Sequence, residues 1–106
     1  MKAKKHAGLL ALLVAVNGWM FSAEALAADP RNGAKLYNMH CSSCHGPKGQ
    51  GMMPGTPDFG RDRTLFAADP VLVQVIEQGR GVMPAYRGLM STQDILDVIA
   101  HLRTFK

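Results

Sequence analysis

The hydrophobic positions in the C-terminal three quarters of the chain recur at helical intervals, without a convincing strand pattern. In the last segment, one apolar face is formed by Ile95, Val98, Ile99 and Leu102. Ser91 and Asp94 precede this face with the spacing of a capping box. The pattern therefore predicts an all-α domain whose last helix begins near Ser91.

Two earlier helices are predicted from a shared start signal. Asp29-Pro30 and Asp69-Pro70 each place an acidic residue ahead of a proline, and proline is favoured at the first helical position. The first helix carries Gly33, Leu36 and Tyr37; the second carries Val71, Leu72, Val75 and Ile76 and stops at Gly79. We therefore predict three main helices.

Long loops connect these helices. The segment from His45 to about Arg63 is rich in glycine and proline, and a second loop runs from Gly79 to Tyr86. Because a long loop within a small domain is more often functional than structureless, both loops are candidates for site residues.

The N-terminus has the three parts of a secretory signal peptide. Lys2, Lys4 and Lys5 precede an apolar stretch over 9–21, and Ala25-Leu26-Ala27 follows as a cleavage site. The alternative is an uncleaved anchor, although the stretch is shorter than the roughly 20 residues of a membrane span. We predict a signal peptide over 1–27 and a mature domain over 28–106, exported to the periplasm without stable membrane insertion.

The mature domain is small and nearly balanced in charge. Domains of 79 residues usually borrow a staple such as a disulfide, a metal or a cofactor. Nine Lys and Arg against seven Asp and Glu give a net charge of +2, and no basic block with interleaved aromatics suggests nucleic acid. We expect a monomer that docks loosely with an acidic partner surface.

One motif gives that staple a chemical identity: Cys41-Ser42-Ser43-Cys44-His45. This is the C-x-x-C-H pattern of covalent haem attachment, in which two thiols add to the haem vinyl groups. His45 then offers a ring nitrogen as an axial ligand to the iron. One such motif predicts one haem c.

Two methionines, each followed by a proline, are candidates for the second axial ligand. Met83 lies in the glycine-flanked second loop, 38 residues after His45, which leaves the chain room to reach the opposite haem face. Met53 lies eight residues after His45, a span of roughly 26 Å when fully extended. Length does not exclude Met53, but topology makes it awkward, so Met83 is favoured.

In this order, these residues resemble the class I cytochrome c family from about Asp29 to Phe105. The resemblance implies a small all-α fold around one haem, with thioethers at Cys41 and Cys44 and axial ligands His45 and Met83. It also implies that the Pro57 carbonyl accepts a hydrogen bond from the outer nitrogen of His45.

The resemblance further implies a close contact between the first and last helices. Gly33 and Tyr37 match the glycine and the aromatic residue that make this contact in the family. The facing position on the last helix is typically aromatic, and here it is His101.

Further pocket residues are expected among the large apolar side chains of the mature domain. Pocket or core positions are assigned to Phe59, Leu65, Phe66, Leu72, Ile76, Tyr86 and Leu89. Candidates to pair with the haem propionates are Arg61, Arg63, Arg80 and Arg87. Lys35 and Lys48 are candidates for steering a partner to the haem edge.

The predicted function is electron transfer between redox proteins, not enzymatic catalysis. The carrier would dock transiently with a donor and an acceptor in a respiratory or denitrification chain. One alternative is a haem enzyme or sensor in which Met83 is labile or is not a ligand. Another is a zinc or thiol-redox module, which lacks here the second cysteine pair or the βαβ context it needs.

Overall fold

A computed structural model of the protein describes residues 26–105. Four α-helices lie within this range: α1 over Pro30–His40, α2 over Ser42–His45, α3 over Asp69–Gln78 and α4 over Thr92–Leu102. Short 3₁₀ turns cover Thr64–Phe66 and Arg103–Phe105, and residues 26–105 form no strand beyond isolated bridges. The all-α prediction with three main helices is confirmed, and α2 adds a single turn that carries the cysteine motif.

Local sequence signals explain where the helices begin and end. Asp29 caps α1 by accepting a hydrogen bond from the Arg31 backbone N–H, and Ser91 and Asp94 form the predicted capping box of α4. The start of α3 differs by one position, because Asp69 is its first residue and Ala68 is its cap. The Asp69 carboxylate instead pairs with Arg103, which follows α4.

The core lies where α1 and α4 cross. A Cβ atom added to Gly33 would lie 2.9 Å from the backbone nitrogen of Val98 and would collide with the Asp97 carbonyl. Since only glycine permits this approach, the predicted helix contact is confirmed. His101 takes the facing position and packs against Tyr37, with 5.3 Å between ring centroids, while Phe105 closes on the same ring at 5.2 Å.

Two pocket assignments are wrong. Phe66 is 68% exposed and holds the Arg63 guanidinium over its ring at 5.3 Å. Leu89 is 76% exposed, because the chain turns at Gly88 (φ 83°) and points Met90 inward instead. The other five lie in the buried core: Phe59, Leu65, Leu72, Ile76 and Tyr86.

Residues 1–25 of the predicted signal peptide lie outside the described residues. Within residues 26–105, no helix has the length and apolar character that a membrane span needs.

Candidate functional site

The cysteine motif forms one helical turn immediately after α1. The backbone N–H of Cys41 still donates to Tyr37 at 2.9 Å, and His45 N–H then donates to the Cys41 carbonyl at 2.9 Å. Side chains three and four positions apart on a helix share one face. The turn therefore presents Cys41, Cys44 and His45 together, which explains why the spacing of the motif matters.

This face borders a cavity of about 760 Å³, within the range of cofactor pockets. Aromatic and aliphatic side chains from α3, α4 and both long loops form its walls, including Phe59, Leu65, Leu72, Ile76, Tyr86 and Leu102. All the predicted site residues line this one cavity: Cys41, Cys44, His45, Pro57 and Met83. The rival Met53 lines it too.

His45 is prepared to act as a neutral ligand. Its ring stacks on Phe59, with centroids 5.0 Å apart and planes 15° from parallel. Burial lowers the pKa of His45, which favours the neutral imidazole with a free lone pair. Its Nδ1 atom is buried and has no hydrogen-bond partner among the described residues. The predicted bond from this nitrogen to the Pro57 carbonyl is thus not formed here, although Pro57 lines the same cavity.

The two cysteines are placed for attachment rather than for thiol redox chemistry. Both are free thiols. Burial, reinforced by the neighbouring Cys44, raises the pKa of Cys41 to about 11, whereas redox-active thiols have lowered values. No group of three or more His, Cys, Asp or Glu side chains within residues 26–105 is arranged to hold a metal ion. Both observations disfavour the zinc or thiol-redox alternative.

The loop carrying Met83 is closed by backbone contacts. Arg80 and Met83 exchange hydrogen bonds of 3.1 and 3.0 Å across a tight turn. Gly79 begins this turn with φ 74°, and a Cβ atom there would lie 2.7 Å from the Met83 carbonyl oxygen. The Met83 side chain is half-buried and packs against the hydrophobic core.

Met53 is held differently. Its backbone N–H donates to the Cys44 carbonyl at 3.2 Å. The backbone N–H of Met52 donates to the same carbonyl at 2.9 Å. The loop after the motif therefore folds back onto the attachment turn, and the Met53 side chain remains 41% exposed.

Sequence reasoning left four arginines as equal candidates for propionate pairing. Arg61 pairs with Asp58 at 3.7 Å, Arg87 pairs with Glu77 at 3.1 Å, and Arg63 covers Phe66. Arg80 alone among the Lys, Arg, Asp and Glu side chains of residues 26–105 lines the cavity. It also forms no ion pair within that range. Of the four arginines, Arg80 is therefore the best placed to meet a propionate.

The residues present fit a covalent haem. Two thiols and an imidazole share one face, and a thioether from a distant loop enters the same largely apolar cavity. Fold and site together define a small all-helical c-type cytochrome with one haem.

Comparisons with known proteins agree with this class. Residues 28–102 match the family model described as cytochrome C oxidase, cbb3-type, subunit III. The chain is 32% identical to cytochrome c6 of Nostoc sp. (strain PCC 7120) over 93% of its own length and 91% of that protein's. It is 33% identical to cytochrome c6 of Thermosynechococcus vestitus, covering 74% and 71% of the two chains.

A solved structure shows the same fold. Cytochrome c6 of the diatom Phaeodactylum tricornutum superposes with a TM-score of 0.62 at 23% identity, over 73% of this chain and 93% of that one. The chain belongs to the class I cytochrome c family. It therefore carries one covalent haem c with its iron, and it is an electron-transfer protein.

Proposed function

We propose that this protein is a periplasmic electron carrier whose haem iron is held between His45 and Met83. The mature domain would span 28–106, with residues 1–27 removed as a signal peptide. The carrier would work as a monomer that docks transiently with a donor and an acceptor in a respiratory or denitrification chain. The basic start, apolar stretch and Ala25-Leu26-Ala27 support export.

The observation that carries the ligand assignment is the contrast between the two methionines. Met83 packs against the core from a loop that enters the cavity independently of the attachment turn. Met53 is tied by its backbone to Cys44, on the side that already supplies His45. Met83 would therefore complete the coordination of the iron together with His45, from a segment that is not bonded to the attachment turn through its own backbone.

Each residue of the site has a distinct task. Cys41 and Cys44 would hold the haem through thioethers, and Phe59 steadies the ring of His45 by stacking. Pro57 is proposed to accept the hydrogen bond of His45 Nδ1, which makes the ring a better electron donor to a metal. Arg80 would meet a propionate. Bound haem supplies the one-electron couple of its iron.

The walls of the cavity favour a carrier over an enzyme. They are largely apolar. No Asp or Glu of residues 26–105 lines the cavity, so an acid–base pair involving a carboxyl group is not in place there. With His45 and Met83 both bound, the iron would have no coordination position left for a substrate.

Visible and magnetic circular dichroism spectra of three holoproteins test which methionine binds the iron: wild type, Met83→Ala and Met53→Ala. The methionine–iron charge-transfer band should be lost in Met83→Ala and kept in Met53→Ala, which serves as the matched control. The opposite result would assign the ligand to Met53. Rapid carbon monoxide binding by the ferrous wild type would favour the enzyme or sensor instead.

A further inference from the structure

Tyr86 joins two segments that lie far apart in the chain. Its hydroxyl donates a hydrogen bond to the main-chain carbonyl of His40, with 2.9 Å between the oxygens. The Tyr86 ring also meets the His40 imidazole edge-on, with centroids 5.9 Å apart. Because His40 directly precedes Cys41, this contact reaches the end of α1, next to the attachment turn.

The carbonyl that Tyr86 bonds is one that α1 leaves open. His40 is the last residue of α1, and the last four carbonyls of a helix have no partner within the helix. Tyr86 is 8% exposed, so its hydroxyl has little water to bond in place of this carbonyl. The hydroxyl therefore serves both as a helix cap and as a link between segments.

The backbone of Tyr86 closes the loop that carries Met83. Its N–H donates to the Ile76 carbonyl at 3.0 Å, and its own carbonyl accepts from Leu89 and Met90 at 3.0 and 3.1 Å. Met83 lies three residues earlier, fixed on the other side by its turn with Arg80. A side-chain bond at Tyr86 thus fixes the loop to the end of α1, beside the attachment turn. Tyr86 itself forms part of the cavity wall.

We propose that Tyr86 is a positioning residue for Met83: its hydroxyl holds the loop over 79–86 against the end of α1, next to the attachment turn, and so keeps the Met83 thioether at the iron. This inference rests on the proposed ligation by Met83. Without the hydroxyl, the loop would open more often and expose the sixth coordination position to added ligands.

Binding of imidazole to the ferric holoprotein measures that opening. An exogenous ligand binds only the open form, so its apparent affinity rises with the open population. Losing one hydrogen bond shifts such an equilibrium by about fivefold to tenfold. Tyr86→Phe should therefore bind imidazole about fivefold to tenfold more tightly than wild type and lose the methionine–iron band at lower temperature.

Tyr37→Phe is the matched control. Tyr37 is also buried, and its hydroxyl donates to a main-chain carbonyl, that of Gly46 at 2.5 Å, but it does not contact the Met83 loop through this bond. Denaturant unfolding should show a loss of stability in both variants, whereas imidazole affinity should rise only in Tyr86→Phe.

The outcomes separate the two proposals. If Tyr86→Phe loses stability but binds imidazole as wild type does, the hydroxyl is merely structural and the positioning role is overturned. If Met83→Ala, measured in the same series, retains the charge-transfer band, the ligand assignment fails and the role of Tyr86 fails with it. Loss of the band in Met83→Ala with tighter imidazole binding in Tyr86→Phe supports both.

Discussion

Among single residues, Arg80 is the one whose role depends most on its surroundings. It brings a positive charge to a cavity that no other Lys, Arg, Asp or Glu of residues 26–105 lines, at the turn that also presents Met83. A nearby cation disfavours ferric iron, which carries one more positive charge than ferrous iron. The loop that carries the proposed ligand therefore also places a positive charge where it would affect the reduction potential of the iron.

Arg80→Gln should lower the reduction potential by roughly 10 to 40 mV, the size of one partly screened charge interaction. The matched control is Arg61→Gln, at an exposed arginine paired with Asp58, which should leave the potential within a few millivolts of wild type. Potentiometric titration of the three holoproteins measures both. Equal shifts of the reduction potential in the two variants would show that Arg80 has no special role at the haem site.

Asp97 is a buried carboxylate that sequence reasoning did not single out. It is 5% exposed and accepts hydrogen bonds from the Asp29 backbone N–H at 2.7 Å, from Asn32 at 2.8 Å and from Gln93 at 3.1 Å. Burial alone would raise the pKa of Asp97, but these donors outweigh it and lower the pKa. The carboxylate thus joins α4 to the start of α1.

Asp97→Asn should lower the free energy of unfolding by about 2 kcal/mol at pH 7, since an amide cannot accept all of these bonds. Because the folded-state pKa is lowered, the stabilisation is present above the unfolded-state pKa and is lost as pH falls through the folded value. The difference from wild type should therefore shrink as the pH falls below about 4, the ordinary pKa of an aspartate, in denaturant titrations of the holoproteins. A difference that stays constant with pH, or an equal effect of Asp62→Asn in an exterior loop, would contradict this assignment.

Among the elements, the crossing of α1 and α4 sets the frame on which the site is built. Gly33 lets the two backbones touch, and Tyr37 lies beneath the crossing with its hydroxyl on the Gly46 carbonyl, directly after His45. The helix that positions the motif is therefore packed against the last helix and bonded to the end of the attachment turn.

Gly33→Ala should destabilise the protein by about 1 to 3 kcal/mol, because the added methyl collides with the Asp97 carbonyl. Helix propensity alone predicts the opposite sign, a gain of up to about 1 kcal/mol. Thermal and denaturant unfolding decide between them. Asn38→Ala, at an exposed position of the same helix, should change stability by no more than about 0.5 kcal/mol.

For the whole molecule, small size makes the haem part of the core. The proposed mature chain has 79 residues, and a cavity of about 760 Å³ lies among its largest apolar side chains. A domain of this size buries a small share of its surface, and its margin of stability from the protein core alone is small. Covalent attachment fills the space that the helices enclose.

Expression of the full chain in a bacterium with a haem-attachment system should give a monomer that begins at Ala28. Intact mass should equal residues 28–106 plus one haem, and light scattering during size exclusion should report that single mass. A chain that keeps its N-terminal residues would indicate the uncleaved anchor. A doubled mass in solution would show that the carrier is a dimer.

The sequence by itself determined the class of protein. The C-x-x-C-H motif indicates haem attachment within five adjacent residues. The helix signals at Asp29-Pro30 and Ser91 act over one turn, so both can be recognised without knowing the fold. Pocket membership was predicted less well, because apolar character alone does not distinguish Leu89 in a turn from Met90 beside it.

Only the tertiary structure decided which distant side chains meet. It placed Arg80 at the cavity while the three other arginines found partners elsewhere, joined Tyr86 to His40, and gave Asp97 its donors. These contacts link residues tens of positions apart and depend on how the helices cross and the loops return. Local pattern carries no information about such approaches, because they arise from packing of the whole chain.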